Sequence, residues 1–150
     1  KLEKAIHAAS RKAVIVAAAG NESAATGESG FSDSTNIFPA GLPDVLGVMA
    51  YDSDRDLAWF SNWDYAPGTT VEYEIAAPGT DIYSTWPGDR FKKQSGTSMA
   101  APIVSGAVAC LLSEYPDMTN VEVKLKLGES CISLDEEGTG WGLLNIGELL

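Results

Sequence analysis

A serine hydroxyl is a useful nucleophile only where a base can take its proton and nearby donors can hold the negative charge created by its attack. One serine of this chain stands in such a setting by virtue of its neighbours. Ser95-Gly96-Thr97 is a small-residue turn that delivers Ser98 to the start of an apolar segment running to Leu112. A helix begun there leaves unpaired N–H groups beside Ser98, and such groups can receive an oxyanion. The competing reading, a serine that merely caps a helix, is the commoner use of Ser and Thr at helix starts. Asn21 is the second polar group of interest, because it follows the continuous apolar run 13–19 and Gly20. Such a run reads as a fully buried parallel strand, and functional groups gather just past the carboxyl ends of these strands. Its amide can donate to a developing negative charge. The competing reading is an asparagine in a tight turn.

The remaining chemistry-bearing residues point elsewhere. His7, the only histidine, lies beside the apolar stripe of a predicted helix and reads as a solvent-facing surface residue rather than a catalytic base. Cys110 and Cys131 fit no metal or redox spacing; Cys110 falls in an apolar helical run and is expected to be a buried free thiol. Asp52, Asp54 and Asp56 lack the glycine and distal glutamate of a calcium loop, which leaves a solvated turn. With 10 basic and 21 acidic residues the formal charge is −11, which argues against nucleic acid or an anionic membrane as the main partner. No apolar run reaches membrane-spanning length, and the first residues lack the layout of a signal peptide, so the compartment stays open.

The elements that must position these groups follow from periodicity. Leu2, Ala5, Ile6 and Ala9 recur at helical spacing, so a helix over residues 1–11 should pack on a sheet. Val45 to Ala50 reads as a strand. Asp81 to Trp86 and Arg90 to Gln94, joined through Pro87-Gly88-Asp89, read as a β-hairpin that leads straight into the serine turn. The segment after Ser98 is apolar on every face, which predicts a central, buried helix ended by Tyr115-Pro116. Pro102 removes one early helical hydrogen bond, that to the Ser98 carbonyl. Residues 119–127 carry two patterns at once. Val121, Val123, Leu125 and Leu127 alternate as in a strand, whereas Thr119-Asn120-Val121-Glu122 is a capping box, and the box decides for a helix. Gly138 to Gly142 reads as a tight turn and Asn145 to Leu150 as a final helical turn or two. No repeat, low-complexity tract or linker divides residues 1–150.

Gly96-Thr97-Ser98-Met99-Ala100-Ala101-Pro102 resembles the nucleophile motif of the subtilisin-like serine peptidases. Val14 to Glu22 resembles that family's strand bearing the oxyanion asparagine, Glu72 to Gly79 its strand entering Ala-Pro-Gly, and Gly140-Trp141-Gly142-Leu143-Leu144-Asn145 its closing Gly-x-Gly-x-x-Asn. The family's catalytic Asp and His precede the oxyanion asparagine, so the resemblance implies the C-terminal half of a catalytic domain, a three-layer α/β fold with a mostly parallel sheet. It implies a serine endopeptidase working through an acyl-enzyme on polypeptide substrates, with Ser98 as nucleophile, Asn21 in the oxyanion hole and no activity in this half alone. Ala17, Ala18, Ala19 and Gly20 would line the specificity pocket. Glu22 at its rim would favour a basic side chain, and Ile37 would shorten its floor. The resemblance also implies a cis Phe38–Pro39 bond. No cofactor is required by it. A structural calcium or sodium ion would sit between the carboxylates of Glu72 and Glu74 and the carbonyls of Ala40, Leu42 and Val45, although acidic residues alternating on a strand usually just face water. The partners implied are the N-terminal half and, through the surface it would cover, a second copy of this chain. Two other classes compete: a non-catalytic subtilase-like binding or regulatory module, and a lipase-type hydrolase. The latter needs its histidine after the serine, and none follows Ser98.

Overall fold

The computed structural model describes residues 1–25, 37–63, 75–134 and 138–150. Helix α1 (Leu2–Ser10) leads into strand β1 (Ile15–Ala18) and a short 3-10 helix, Glu22–Ala25. Strands β2 (Val45–Tyr51) and β3 (Ile75–Pro78) follow, then the hairpin β4 (Ile82–Trp86) and β5 (Arg90–Gln94). Three helices close the chain: α2 (Thr97–Glu114), α3 (Asn120–Ser130) and α4 (Ile146–Leu149). The central sheet runs β1-β2-β3 and is parallel throughout, with Val16 opposite Leu46 and Val48 opposite Ile75. Gly142 to Leu144 extends it beside β3: the Ala76 N–H donates to the Gly142 carbonyl and the Leu144 N–H to the Ala76 carbonyl, both at 2.8 Å.

The period-2 alternation of the strands divides the core in two. Leu46, Val48, Ala50, Ile75 and Ala77 face α2, which meets them with Ala100, Val104, Ala107, Val108 and Leu111. Met49 and Ala76 face the other way, toward Ala19 and Leu143. All of these residues are buried. The apolar length of α2 is explained by this contact, although by length and composition alone it would suffice to cross a membrane. That corrects the expectation that no run reaches such a length.

Burial departs from the sequence expectation in a consistent direction. Helix α2 is not buried on every face: only its sheet side is, and Pro102, Ser105, Gly106 and Cys110 lie outside. Cys110 is therefore an exposed thiol, not a buried one. Strand β1 is only half-buried along its length, because among the described residues it pairs with β2 alone and its outer edge is open. On α1, Leu2, Ala5 and Ala9 are exposed, Ile6 is half-buried and the one buried residue is Ser10. An apolar stripe identifies a helix face, but burying it takes a partner, and the described residues supply none there.

The conflict at residues 119–127 resolves as helix. Val121 and Leu125 point to solvent whereas Val123, Lys124 and Leu127 are buried, a spacing that follows the helical turn. The capping box is formed in both directions: Thr119 Oγ1 accepts from the Glu122 N–H, and the Glu122 carboxylate accepts from the Thr119 N–H at 2.7 Å. Those bonds, the backbone one first, hold the Glu122 carboxyl below its usual range. The Phe38–Pro39 bond is cis.

The two thiols should separate chemically. Cys131 is half-buried, and burial pushes its thiol up to about 11. At pH 8, iodoacetamide with mass mapping should alkylate Cys110 first and Cys131 at least roughly tenfold more slowly, since the thiolate is the reactive form. Equal rates would show that Cys131 is not sheltered as described.

Candidate functional site

Parallel strands end together, and the carboxyl ends of β1, β2 and β3 build one corner of the molecule. Just beyond β3, the Gly79 N–H donates to the Tyr51 carbonyl at the end of β2, and the Gly96 N–H donates to the Gly79 carbonyl at 2.8 Å. A side chain at Gly79 would collide with the Ala50 methyl and press on the Gly96 carbonyl. The serine turn is thus seated directly on the sheet, backbone to backbone. From the other side, Ser95 Oγ accepts the Asp81 N–H at 2.9 Å, which ties the turn to the foot of the hairpin.

Thr97, the first residue of α2, joins this turn to the end of β1. It is fully buried. Its N–H donates to Asn21 Oδ1 at 2.9 Å, its hydroxyl donates to the same oxygen at 3.1 Å, and Oγ1 accepts the Gly20 N–H at 3.1 Å. Because a backbone N–H can only donate, the atom of Asn21 facing Thr97 is the amide oxygen. The amide nitrogen is therefore left free to donate elsewhere. Ser98 follows in the first turn of α2 with its side chain exposed. The Met99 N–H is used by the Gly96 carbonyl at 2.9 Å, whereas the Ser98 N–H, so close to the helix start, has no acceptor within the helix. The two sequence-selected residues are brought together through Thr97, which the sequence reading passed over.

The predicted pocket wall is continuous with this corner. Ala17, Ala18 and Gly20 are half-buried and Ala19 is fully buried. Gly20 takes φ +104°, a conformation that favours glycine, and a Cβ there would strike the Glu22 carboxylate and the Asn62 amide. Glu22 is exposed, and its Oε2 accepts from Asn62 Nδ2 at 2.5 Å. Ile37 stands half-buried at the start of the segment leading into β2. Of the predicted cation ligands, Glu72 and Glu74 lie outside the described residues. Ala40 and Val45 are buried and Leu42 is half-buried; the Val45 N–H donates to the Leu42 carbonyl at 3.0 Å, which occupies part of that oxygen. Among the described residues no group of three His, Cys, Asp or Glu side chains is placed to hold a metal.

A profile of the subtilase family of peptidases matches residues 1–142. The chain belongs to the subtilase family. Subtilisin DY of Bacillus licheniformis is 40% identical over 134 residues, which are 89% of this chain and 45% of that protein. Among solved structures, a mutant of the protease domain of PatA superimposes with a TM-score of 0.79 at 34% identity, over 99% of this chain and 51% of that one. Sphericase gives 0.80 at 30% identity, over 96% and 52%. The chain thus spans about a third to a half of the length of the subtilases it matches. Its parallel sheet with α2 packed across it is part of the α/β subtilisin fold, as the motifs implied.

Within this subtilase, the Thr97 hydroxyl should matter to stability. Thr97→Val keeps the shape but leaves the Gly20 N–H without its acceptor, so unfolding free energy from urea denaturation should fall by about 1–3 kcal/mol, the cost of an unmade buried bond. Thr97→Ser should retain most of it. Equal losses for both variants would assign the effect to the methyl group.

Proposed function

We propose that this chain is the C-terminal half of the catalytic domain of a serine endopeptidase, and that Ser98 is its nucleophile. The observation that carries the reading is the placement of Ser98 one residue after Thr97, whose hydrogen bonds hold Asn21 at the same helix start. In this reaction Ser98 Oγ attacks the peptide carbonyl while its proton passes to a histidine. The oxyanion is held by the Asn21 amide nitrogen and the Ser98 N–H. The C–N bond then breaks, the leaving amine takes the proton, and water hydrolyses the acyl-enzyme. The pocket wall Ala17–Gly20 would receive the side chain before the scissile bond, with Glu22 and Ile37 shaping its ends. A calcium or sodium ion near Ala40, Leu42 and Val45 is a structural addition to this scheme, and no chemical step depends on it.

His7 is not that histidine. Its ring Nδ1 lies 2.8 Å from the carboxylate of Asp44, the residue just before β2, whereas the serine turn rests on Gly79, which is bonded to the far end of β2 at Tyr51. A strand of seven residues spans roughly 20 Å at about 3.3 Å per residue. The base must come from a segment outside these residues. The open edge of β1 and the exposed Leu2, Ala5 and Ala9 of α1 offer a surface for it, and the same surface would favour self-association of the chain alone.

Two measurements test the reading. A fluorophosphonate probe with mass mapping should leave Ser98 of this chain unlabelled alone and label it after mixing with a separately expressed N-terminal half bearing the family's Asp and His motifs. Rapid labelling of the chain alone, abolished by His7→Ala, would make His7 the base and sink the fragment reading. In the active complex, Asn21→Ala should lower kcat by about 10²–10³ with KM little changed, the figure established for the oxyanion asparagine of subtilisin itself. An unaltered kcat would remove Asn21 from the mechanism.

A further inference from the structure

Asn62 is the most completely bonded polar side chain near the proposed pocket, and it belongs to none of the motifs. It follows β2 by a short loop and is fully buried. Its Oδ1 accepts the Glu22 N–H at 2.9 Å and the Ser23 N–H at 3.0 Å; its Nδ2 donates to the Ala19 carbonyl at 3.1 Å and to Glu22 Oε2 at 2.5 Å. The Asn62 N–H in turn donates to the Gly20 carbonyl at 3.0 Å. One residue therefore grips the last part of the pocket wall, the turn after it and the charged side chain of Glu22.

We infer that Asn62 is a specificity-determining positioning residue, which holds the Glu22 carboxylate against Gly20 as a fixed anion for a lysine or arginine side chain of the substrate. The inference rests on the peptidase reading above and deepens it. A glutamate on an exposed turn is a flexible chain that must be immobilised each time it meets a cation, and that ordering works against binding. Here the immobilisation is built into the fold. The short bond to a neutral amide engages one carboxylate oxygen and leaves both the charge and the second oxygen to the ligand. Gly20 completes the arrangement, because any side chain at that position would occupy the volume where the carboxylate and the Asn62 amide meet.

A substrate pair that differs only in the residue before the scissile bond, arginine against phenylalanine, reads this out in the complementing complex. Asn62→Ala should lower the arginine-to-phenylalanine ratio of kcat/KM by about three- to tenfold, mostly through KM for the arginine substrate, as expected for releasing one long side chain. In a Glu22→Gln background the same substitution should leave the ratio unchanged. If the alanine variant does not fold, Asn62→Ser replaces it: its hydroxyl can still accept a backbone N–H but is too short to reach the Glu22 carboxylate. An equal fall on both substrates, or an unaltered ratio, would overturn the inference while leaving the peptidase reading intact. A complex that takes no fluorophosphonate at Ser98 and cleaves neither substrate would overturn both.

Discussion

The structure depends on the oxygen of one asparagine side chain. Asn21 Oδ1 collects both the N–H and the hydroxyl of Thr97, and through that junction the end of a strand and the beginning of a helix become a single rigid corner. Each partner alone is a common object. A strand followed by Gly-Asn turns away from the sheet, and a helix that begins with Gly-Thr-Ser has loose donors at its start. Joined, they leave the Ser98 side chain outside and the Asn21 amide nitrogen turned from Thr97. In the reaction proposed above, a donor already in place would not have to be moved as charge develops.

The sheet beneath makes the corner possible. Its three strands are parallel, so their carboxyl ends coincide, and Gly79 lets the backbone of the serine turn settle on Ala50 without an intervening side chain. The opposite end of the sheet is built differently. There Asp44 binds the His7 ring through its carboxylate and the buried Lys124 ammonium through its carbonyl, the latter at 2.9 Å. These contacts tie α1 and α3 to the start of β2. Charged residues thus secure one end, while backbone and amide hydrogen bonds shape the other.

Much of this was legible in the sequence because it is encoded locally. The run 13–19 ending in Gly20-Asn21, the hairpin around Pro87-Gly88-Asp89 and the capping box at Thr119 each specify their geometry within a few residues, and each forms the element read for it, although β1 is half-buried rather than buried. Burial was less legible. The stripe on α1 and the uniformly apolar α2 look like buried elements, but apolarity states only that a surface would prefer cover, and the described residues leave α1 and the outer side of α2 exposed. Asn62 was invisible for a related reason: its bonds reach Ala19, 43 residues away, and Glu22, 40 residues away. No periodicity marks a residue whose role is wholly tertiary. Thr97 lies inside the nucleophile motif, but its partner Asn21 is 76 residues away, so its role is tertiary as well.

The same long reach governs when the corner comes into being. Thr97 meets Asn21 across 76 residues and Gly20 across 77, so the junction closes a loop that contains β2, β3 and the hairpin. Closing it early would sacrifice chain entropy before any reward, and contacts of such separation tend to form late. A chain emerging from the ribosome therefore holds every residue of the corner for some time without holding the corner. That order keeps the serine turn and the asparagine apart until the strands beneath them have paired, so the corner is a property of the finished fold and of no segment taken alone.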